Sequence, residues 1–394
     1  MSGTADGKRV LYLDNAATSF PKPEETLEAM IRFTRDVGAS PGRSGHRLSI
    51  EAGRIVLDAR MVLSELLGAP DPLHVAFAKN ATEALNIAVF GLLDPGDHAV
   101  TSSMEHNSVM RPLREMEKRG LSLTVVPCSP AGGIDPDDVR RALRADTKAI
   151  YLTHASNVTG TLMPVAEIGG IAREAGVLFC VDAAQTAGAV PLDAGGMNID
   201  LLAFTGHKSL YGPQGTGGLV LSRTAEDRVR PLLMGGTGSR SESEEHPEFL
   251  PDRLESGTQN AVGIAGLGAG ARFVGEKGVE SIRQKEIDLT AALIGGLGAI
   301  PDVVVYGTGD ARRQTPVVSF NMKGKRPSDV SLALDEEFGI MSRPGLQCAP
   351  AAHRTIGTFP VGTVRLSLGF FNTKQDVEAV LDAVGRLSSR KDLP

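Results

Sequence analysis

The sequence predicts an α/β fold with a mostly parallel sheet covered by helices and a smaller C-terminal α+β unit. Three observations carry this reading. From about residue 74, short apolar runs rich in β-branched residues alternate with stretches of helical periodicity, the pattern that builds parallel sheets. The runs "LLAFTG" (201–206) and "GGLVLS" (217–222) are joined by a short Gly-rich link. A parallel crossover needs about a dozen residues or more, so one strand there must run antiparallel. Beyond a Gly-, Ser- and Glu-rich loop, "GGTGSRSESEEHPEF" (235–249), a second set of strands and helices begins.

Taken in order, "HVAFA" (74–78) is strand-like and "ATEALNIAVFGLL" (81–93) is an amphipathic helix closed by "DPGD". Asn80 and Glu83 have the spacing of a capping box at the start of that helix. "HAVTSS", "LSLTVV", "AIYLTHAS" and "VLFCVDAA" supply further strands. The stretch "NAVGIAGLGAGARFVGEKG" is helical. Its Gly266, Gly268 and Gly270 look like a dinucleotide fingerprint, but that fingerprint sits between a strand and a helix; these glycines serve close helix packing instead. The second unit has strands "VVVYG", "PVVSFNM" and "TVRLSL" and helices "SDVSLALDEEFG" and "KQDVEAVLDAVGRL". The expected division is a large unit over 1–284 and a small one over 285–394.

Composition narrows the function classes. The chain has 394 residues, 41% hydrophobic and 22% charged, ordinary for a globular protein with room for two units. A formal net charge of −6 without any basic block argues against a nucleic-acid or anionic-membrane partner. The start, "MSGTADGKRV", has no apolar signal region, and no run approaches a membrane span. Three cysteines do not make a disulfide framework and lack metal-ligand spacing, so a cytoplasmic protein without a metal is expected. Aromatic content of 4% with no Trp argues against a stacking platform for single strands.

In open parallel sheets, ligands bind beyond the carboxyl ends of the strands. The residues just past the strand ends here form a specific set: Asn80, Ala81 and Thr82; Glu105, His106 and Asn107; Asn157; Asp182 and Gln185; Thr205, His207 and Lys208. Each alone has a plain structural use, as cap, turn or core residue. Together, a lysine, a carboxylate, an imidazole and a helix start with a hydroxyl match the needs of pyridoxal 5'-phosphate. The lysine anchors the cofactor aldehyde and the carboxylate keeps the pyridine nitrogen protonated. Backbone N–H groups at Ala81 and Thr82 suit a phosphate. "FTGHKSLYG" (204–212) thus has a reason to carry a lysine in a glycine-rich turn.

The motifs "YLDNAAT" (12–18), "NATEALN" (80–86), "EHNS" (105–108), "HASNVTGT" (154–161), "VDAAQTAG" (181–188), "GHKSLYGPQGTG" (206–217) and "ESGTQN" (255–260) together resemble the class V aminotransferase superfamily. Among its branches they are most similar to the cysteine desulfurases of the NifS, IscS and SufS type. The resemblance implies a fold-type I pyridoxal-phosphate enzyme with a seven-stranded large sheet, acting as a homodimer with shared active sites. It implies that Lys208 anchors the cofactor and shuttles a proton, that Asp182 pairs with the pyridine nitrogen, and that Gln185 bonds the ring hydroxyl. His106 stacks on the ring as a third catalytic group, and Asn157 sits near the ring hydroxyl and the substrate. Thr82, Thr205 and His207 bind phosphate, joined by Thr258 from the other subunit. Arg365 holds the substrate carboxylate, as a two-pronged guanidinium does best. Arg43, with His46, matches a basic segment near the entrance.

Cys348, in "SRPGLQCAPAAHRTIGT", is the discriminating residue. Cys128 and Cys180 lie in or at the ends of apolar strands and read as small hydrophobes. Cys348 lies in a loop near Arg343, a setting in which a thiolate forms. In desulfurases a loop cysteine five positions after an arginine attacks the substrate sulfur, an offset that Arg343 and Cys348 keep. The loop departs from the family: Leu346 and Gln347 stand where one group has two histidines, and the long mobile loop of the other group is absent. The expectation is a desulfurase converting L-cysteine to L-alanine, with the sulfur passed to Cys348 as a persulfide; the departures in the loop leave the next acceptor open between a sulfur-acceptor protein and a small thiol. A selenocysteine lyase, a β-eliminating C–S lyase or an inert sulfur carrier are the alternatives the same residues leave open.

Overall fold

The computed structural model describes residues 4–5, 8–42 and 44–390. The large sheet has seven strands: β1 (Val75–Ala78), β2 (His98–Ser102), β3 (Ser122–Val126), β4 (Thr147–Thr153), β5 (Leu178–Asp182), β6 (Leu201–Thr205) and β7 (Gly217–Leu221). Their spatial order is β3-β2-β4-β5-β6-β7-β1. Neighbours from β3 to β6 pair in parallel. β7 is antiparallel to both β6 and β1, as the short link required.

The strands read as continuous apolar runs because both faces of the sheet are covered. Side chains alternate between two cores: Phe179, Val181, Leu202 and Phe204 enter one, and Leu178, Cys180, Leu201 and Ala203 the other. Helices α2 (Arg47–Leu67), α5 (Pro136–Ala142) and α6 (Val165–Ala175) close the first face, and α3 (Ala81–Phe90) and α4 (Asn107–Lys118) the second. Helix α7 (Ala261–Lys277) also lies on the first face, against α1 (Glu24–Arg32) and α2. A Cβ at Gly266 would stand 2.7 Å from Met30 Cγ, and one at Gly268 would stand 2.9 Å from Ala59 Cβ. The glycines of this helix therefore permit close backbone approach.

Past α7, helix α8 (Val279–Gly298) leads into a four-stranded antiparallel sheet. Its strands are β8 (Val303–Tyr306), β9 (Val317–Met322), β10 (Arg343–Gly345) and β11 (Thr363–Ser367), ordered β8-β9-β11-β10. Helices α9 (Pro327–Phe338) and α11 (Lys374–Ser388) pack on it, around Phe320, Leu334, Leu366 and Val384. Leu11 and Leu13 join the same core, and Leu11–Tyr12 pairs in parallel with Ile340–Met341. The N-terminal segment thereby ties the second sheet to the mouth of the first. Among the described residues no helix is long and apolar enough to cross a membrane.

Candidate active site

A cavity of about 250 Å³ opens where the carboxyl ends of the large sheet meet the edge of the small one. Each strand contributes at its end. After β1, the side chain of Asn80 caps α3 by accepting from Glu83 N at 3.0 Å. The return bond of the capping box goes one residue earlier than the sequence suggested, since Glu83 Oε2 accepts from Lys79 N at 2.6 Å. Ala81 and Thr82 then present the first turn of α3 to the cavity. After β2, His106 caps α4, its Nδ1 accepting from Ser108 N at 3.1 Å. Burial first, and then the positive charges of Lys208, Arg343, Arg365 and Arg111, bring this imidazole down to a pKa of about 4. The ring is neutral at physiological pH with its proton on Nε2.

Asn157, after β4, joins the two halves of the cavity: its Nδ2 donates to Gln347 O at 2.7 Å and its carbonyl accepts from Arg365 Nη1 at 3.1 Å. Asp182 ends β5, and its Oδ1 accepts from Ala184 N at 2.9 Å. Burial raises its pKa, against the pull of that bond and of Lys208. Gln185 donates to Ala16 O at 3.1 Å. Thr205 ends β6, and its Oγ1, like Nδ1 of His207, is buried without a hydrogen-bond partner. Lys208 lines the same cavity, with its pKa lowered to about 8 by burial and by Arg365 and Arg343, against the pull of Asp182.

The opposite wall comes from the small sheet. Arg365 on β11 is 1% exposed, and its neighbour across the strands is Arg343. Two guanidinium groups side by side need a counter-charge, and Asp14 supplies it, 2.6 Å from Arg365 Nη2. Arg365 Nε is buried and unpartnered. Arg343 Nη2 lies 3.8 Å from the sulfur of Cys348, which is exposed at the rim.

Of the residues expected at the site, the cavity gathers Ala81, Thr82, His106, Asn157, Asp182, Gln185, Thr205, His207, Lys208, Arg343 and Arg365. Cys348 touches it through Arg343. Thr258 does not line it; this residue lies in a separate cavity of about 190 Å³ beside Lys79, Gly215 and Gln259. Arg43 lies outside the described residues, and His46 serves as the cap of α2. Several further residues at the site carry no signal of their role in the sequence. Thr18 and Lys22 donate to His207 O at 3.0 and 2.8 Å, and Ser19 donates to Lys208 O at 2.8 Å, so the N-terminal segment fastens the peptide that bears the lysine. Glu105, already placed past the end of β2 by the sequence, is buried with Ser102 Oγ and Thr153 N donating to its Oε1, and burial raises its pKa to about 8. Gln347 and His353 shape the cysteine turn. Gln347 and Cys348 adopt φ of +41° and +59°, a left-handed conformation that costs about 1–2 kcal/mol per residue bearing a side chain.

A doubly covered parallel sheet with a buried lysine, carboxylate and arginine around one polar cavity beyond its strand ends is the arrangement of an α/β enzyme active site. The family model described as Aminotransferase class-V matches residues 11–380, and the chain belongs to that family. A probable cysteine desulfurase of Methanothermobacter thermautotrophicus is 34% identical over 93% of this chain and 92% of its own length. The apo structure of a cysteine desulfurase from Thermococcus onnurineus NA1 superposes with a TM-score of 0.91 at 33% identity, covering 96% of this chain and 94% of that one. The Escherichia coli cysteine desulfurase CsdA gives a TM-score of 0.85 at 28% identity over 95% and 94% of the two chains.

Proposed function

We propose that the chain is a pyridoxal-phosphate-dependent cysteine desulfurase that converts L-cysteine to L-alanine and passes the sulfur to Cys348. The observation that carries this is the continuity from Lys208 and Asp182, through Arg365 and Arg343, to the sulfur of Cys348. The residues fit the cofactor. The buried, unpartnered Thr205 Oγ1 and His207 Nδ1 and the first turn of α3 suit a phosphate. Asp182 would hold the ring nitrogen, Gln185 and Asn157 the ring hydroxyl, His106 a ring face, and Lys208 the aldehyde. When bound, pyridoxal phosphate supplies an electron sink for charge released at the substrate Cα.

The remaining work falls to the chain. Arg365 takes the substrate carboxylate, and Asp14 keeps its guanidinium in place. Lys208, whose amine is half deprotonated near pH 8, removes the Cα proton and returns it. The Cys348 thiolate attacks the substrate sulfur. An S–S bond forms and the C–S bond breaks, with the electron pair staying on carbon, where a proton completes the methyl group of alanine. The sulfur is oxidised to the sulfane level and the carbon is reduced, so no outside oxidant is needed.

A homodimer belongs to the same proposal: Thr258 stands apart from Lys208 in its own chain, and Leu27 and Ile31 on α1 and Leu57 and Met61 on α2 are exposed apolar side chains. So do the division at 284/285, a sulfur-acceptor partner and a cytoplasmic location. Incubation of the purified, cofactor-loaded protein with L-cysteine tests the reading. Alanine matched by sulfide or persulfide is expected. Pyruvate in its place would mean β-elimination and would remove Cys348 from the reaction.

A further inference from the structure

The turn that carries Cys348 is held by more bonds than its length requires. The side chain of Gln347 is buried, and its Nε2 donates to Arg343 O and to Thr363 O, each at 3.1 Å. Its Oε1 faces His353 Nε2 at 2.8 Å. Because the amide nitrogen already donates twice, the oxygen must accept, so His353 carries its proton on Nε2. The other ring nitrogen, Nδ1, then accepts from Thr358 Oγ1 at 2.7 Å, and the imidazole is fully buried. The backbone is held as firmly. Gln347 O accepts from Asn157 Nδ2 at 2.7 Å, and Cys348 O accepts from Asn107 N at 2.9 Å. These bonds keep two side-chain-bearing residues in a left-handed conformation that a free loop would leave. Gln347 also lines the cavity, while Cys348 stays exposed at its rim.

We propose that the Gln347 amide, oriented by the His353 imidazole, is a positioning device that fixes Cys348 at the cavity mouth beside Arg343, so that the cysteine reacts in place without an excursion of its loop. The proposal rests on the desulfurase reading and adds to it the means by which a short loop presents its nucleophile. Gln347 and His353 act through Cys348 and are positioning residues, not catalytic ones. A thiol that collects sulfur from this protein must therefore come to the rim, because the rim does not go to it.

Three readouts on the cofactor-loaded protein test it. In Gln347→Ala, kcat for alanine from L-cysteine should fall about 30-fold or more with KM within about threefold, because a displaced nucleophile loses rate and not binding. Elimination of chloride from β-chloro-L-alanine, which needs no attacking thiol, should stay within about threefold of the unaltered protein. Iodoacetamide labelling of Cys348, followed on its own peptide, should change at least about threefold, since its access and its distance from Arg343 both change. His353→Gln, which keeps a donor toward Oε1, should retain more desulfuration than His353→Phe, and this pair decides the matter if Gln347→Ala does not fold. Equal loss of both reactions, or unchanged labelling and desulfuration, would overturn the device. Should the unaltered protein yield no alanine from cysteine, the desulfurase reading fails, while the labelling experiment still reports on the clamp.

Discussion

On one side of the cavity, Asp182, Thr205 and Lys208 sit on or just past the ends of adjacent buried strands. On the other side, Cys348 and Gln347 sit in a turn whose shape depends on a backbone hydrogen bond from α4 and on side-chain hydrogen bonds from the segment after β4 and from α10 (Pro350–Thr355). The first wall is rigid because its backbone belongs to a sheet ladder with apolar cores on both faces. The second is rigid only while its polar partners are in place. A comparison of Cys180 with Cys348 makes the same point: Cys180 is fully buried in β5 and burial pushes its thiol well above the ordinary range, whereas Cys348 is exposed beside a guanidinium. One sulfur is packing and the other is available for chemistry.

The strongest way to break the first wall is at its lysine. Lys208→Ala should abolish the visible absorbance of the cofactor-loaded protein and lower turnover at least about 10³-fold; an unchanged absorbance spectrum would remove this residue from the proposal. Next in size is the joint between the walls. Arg365→Lys leaves Asp14 with a counter-charge but loses the planar two-pronged donor. It should lower kcat/KM for L-cysteine about 100-fold, mostly through KM, as measured by alanine formation.

The pH response of the lysine separates burial from chemistry. A neutral amine captures an aldehyde, and burial has brought Lys208 down to about 8. Capture of pyridoxal phosphate by cofactor-free protein should therefore accelerate roughly tenfold between pH 7 and 9 and then level off. A rate still climbing steeply above pH 10 would indicate an unshifted lysine.

The smallest effect concerns Glu105, buried past the end of β2 and bonded to Thr153 of β4. Its folded pKa of about 8 lies above the ordinary carboxylate value of 4.5, so the folded state binds the proton more tightly than the unfolded one. That contribution to stability is complete below about pH 4.5 and is lost as the pH rises through about 8. Glu105→Gln keeps the acceptor used by Ser102 Oγ and Thr153 N and has no proton to lose. The melting temperature of the variant should gain on that of the unaltered protein by a few degrees between about pH 5 and pH 8, then stay ahead by a constant margin. Glu286, also raised to about 8 by burial, is common to both proteins and cancels in the comparison. A gap that does not vary with pH would show that Glu105 is ionised in the fold.

Much of the fold was legible because its signals are local. Runs such as "VLFCV" (177–181) and "LLAF" (201–204) are apolar at every position, which only a strand covered on both faces needs, and the short link before "GGLVLS" pointed to an antiparallel return. Once strand order along the chain is known, the rule that ligands gather beyond strand carboxyl ends brings His106, Asp182 and Lys208 together without a structure. The sequence also separated the one loop cysteine from the two associated with strands. The tertiary structure alone decided the rest, because those contacts join residues far apart in the chain. Asp14 meets Arg365, Ser19 and Lys22 meet the peptide of Lys208, and Asn157 meets Gln347. It also turned Gln347, a mere departure from the family pattern in the sequence, into the center of the cysteine turn. Periodicity and spacing encode which face a residue occupies. Which distant donor meets which acceptor is set by how two sheets dock, and no short stretch of sequence contains that information.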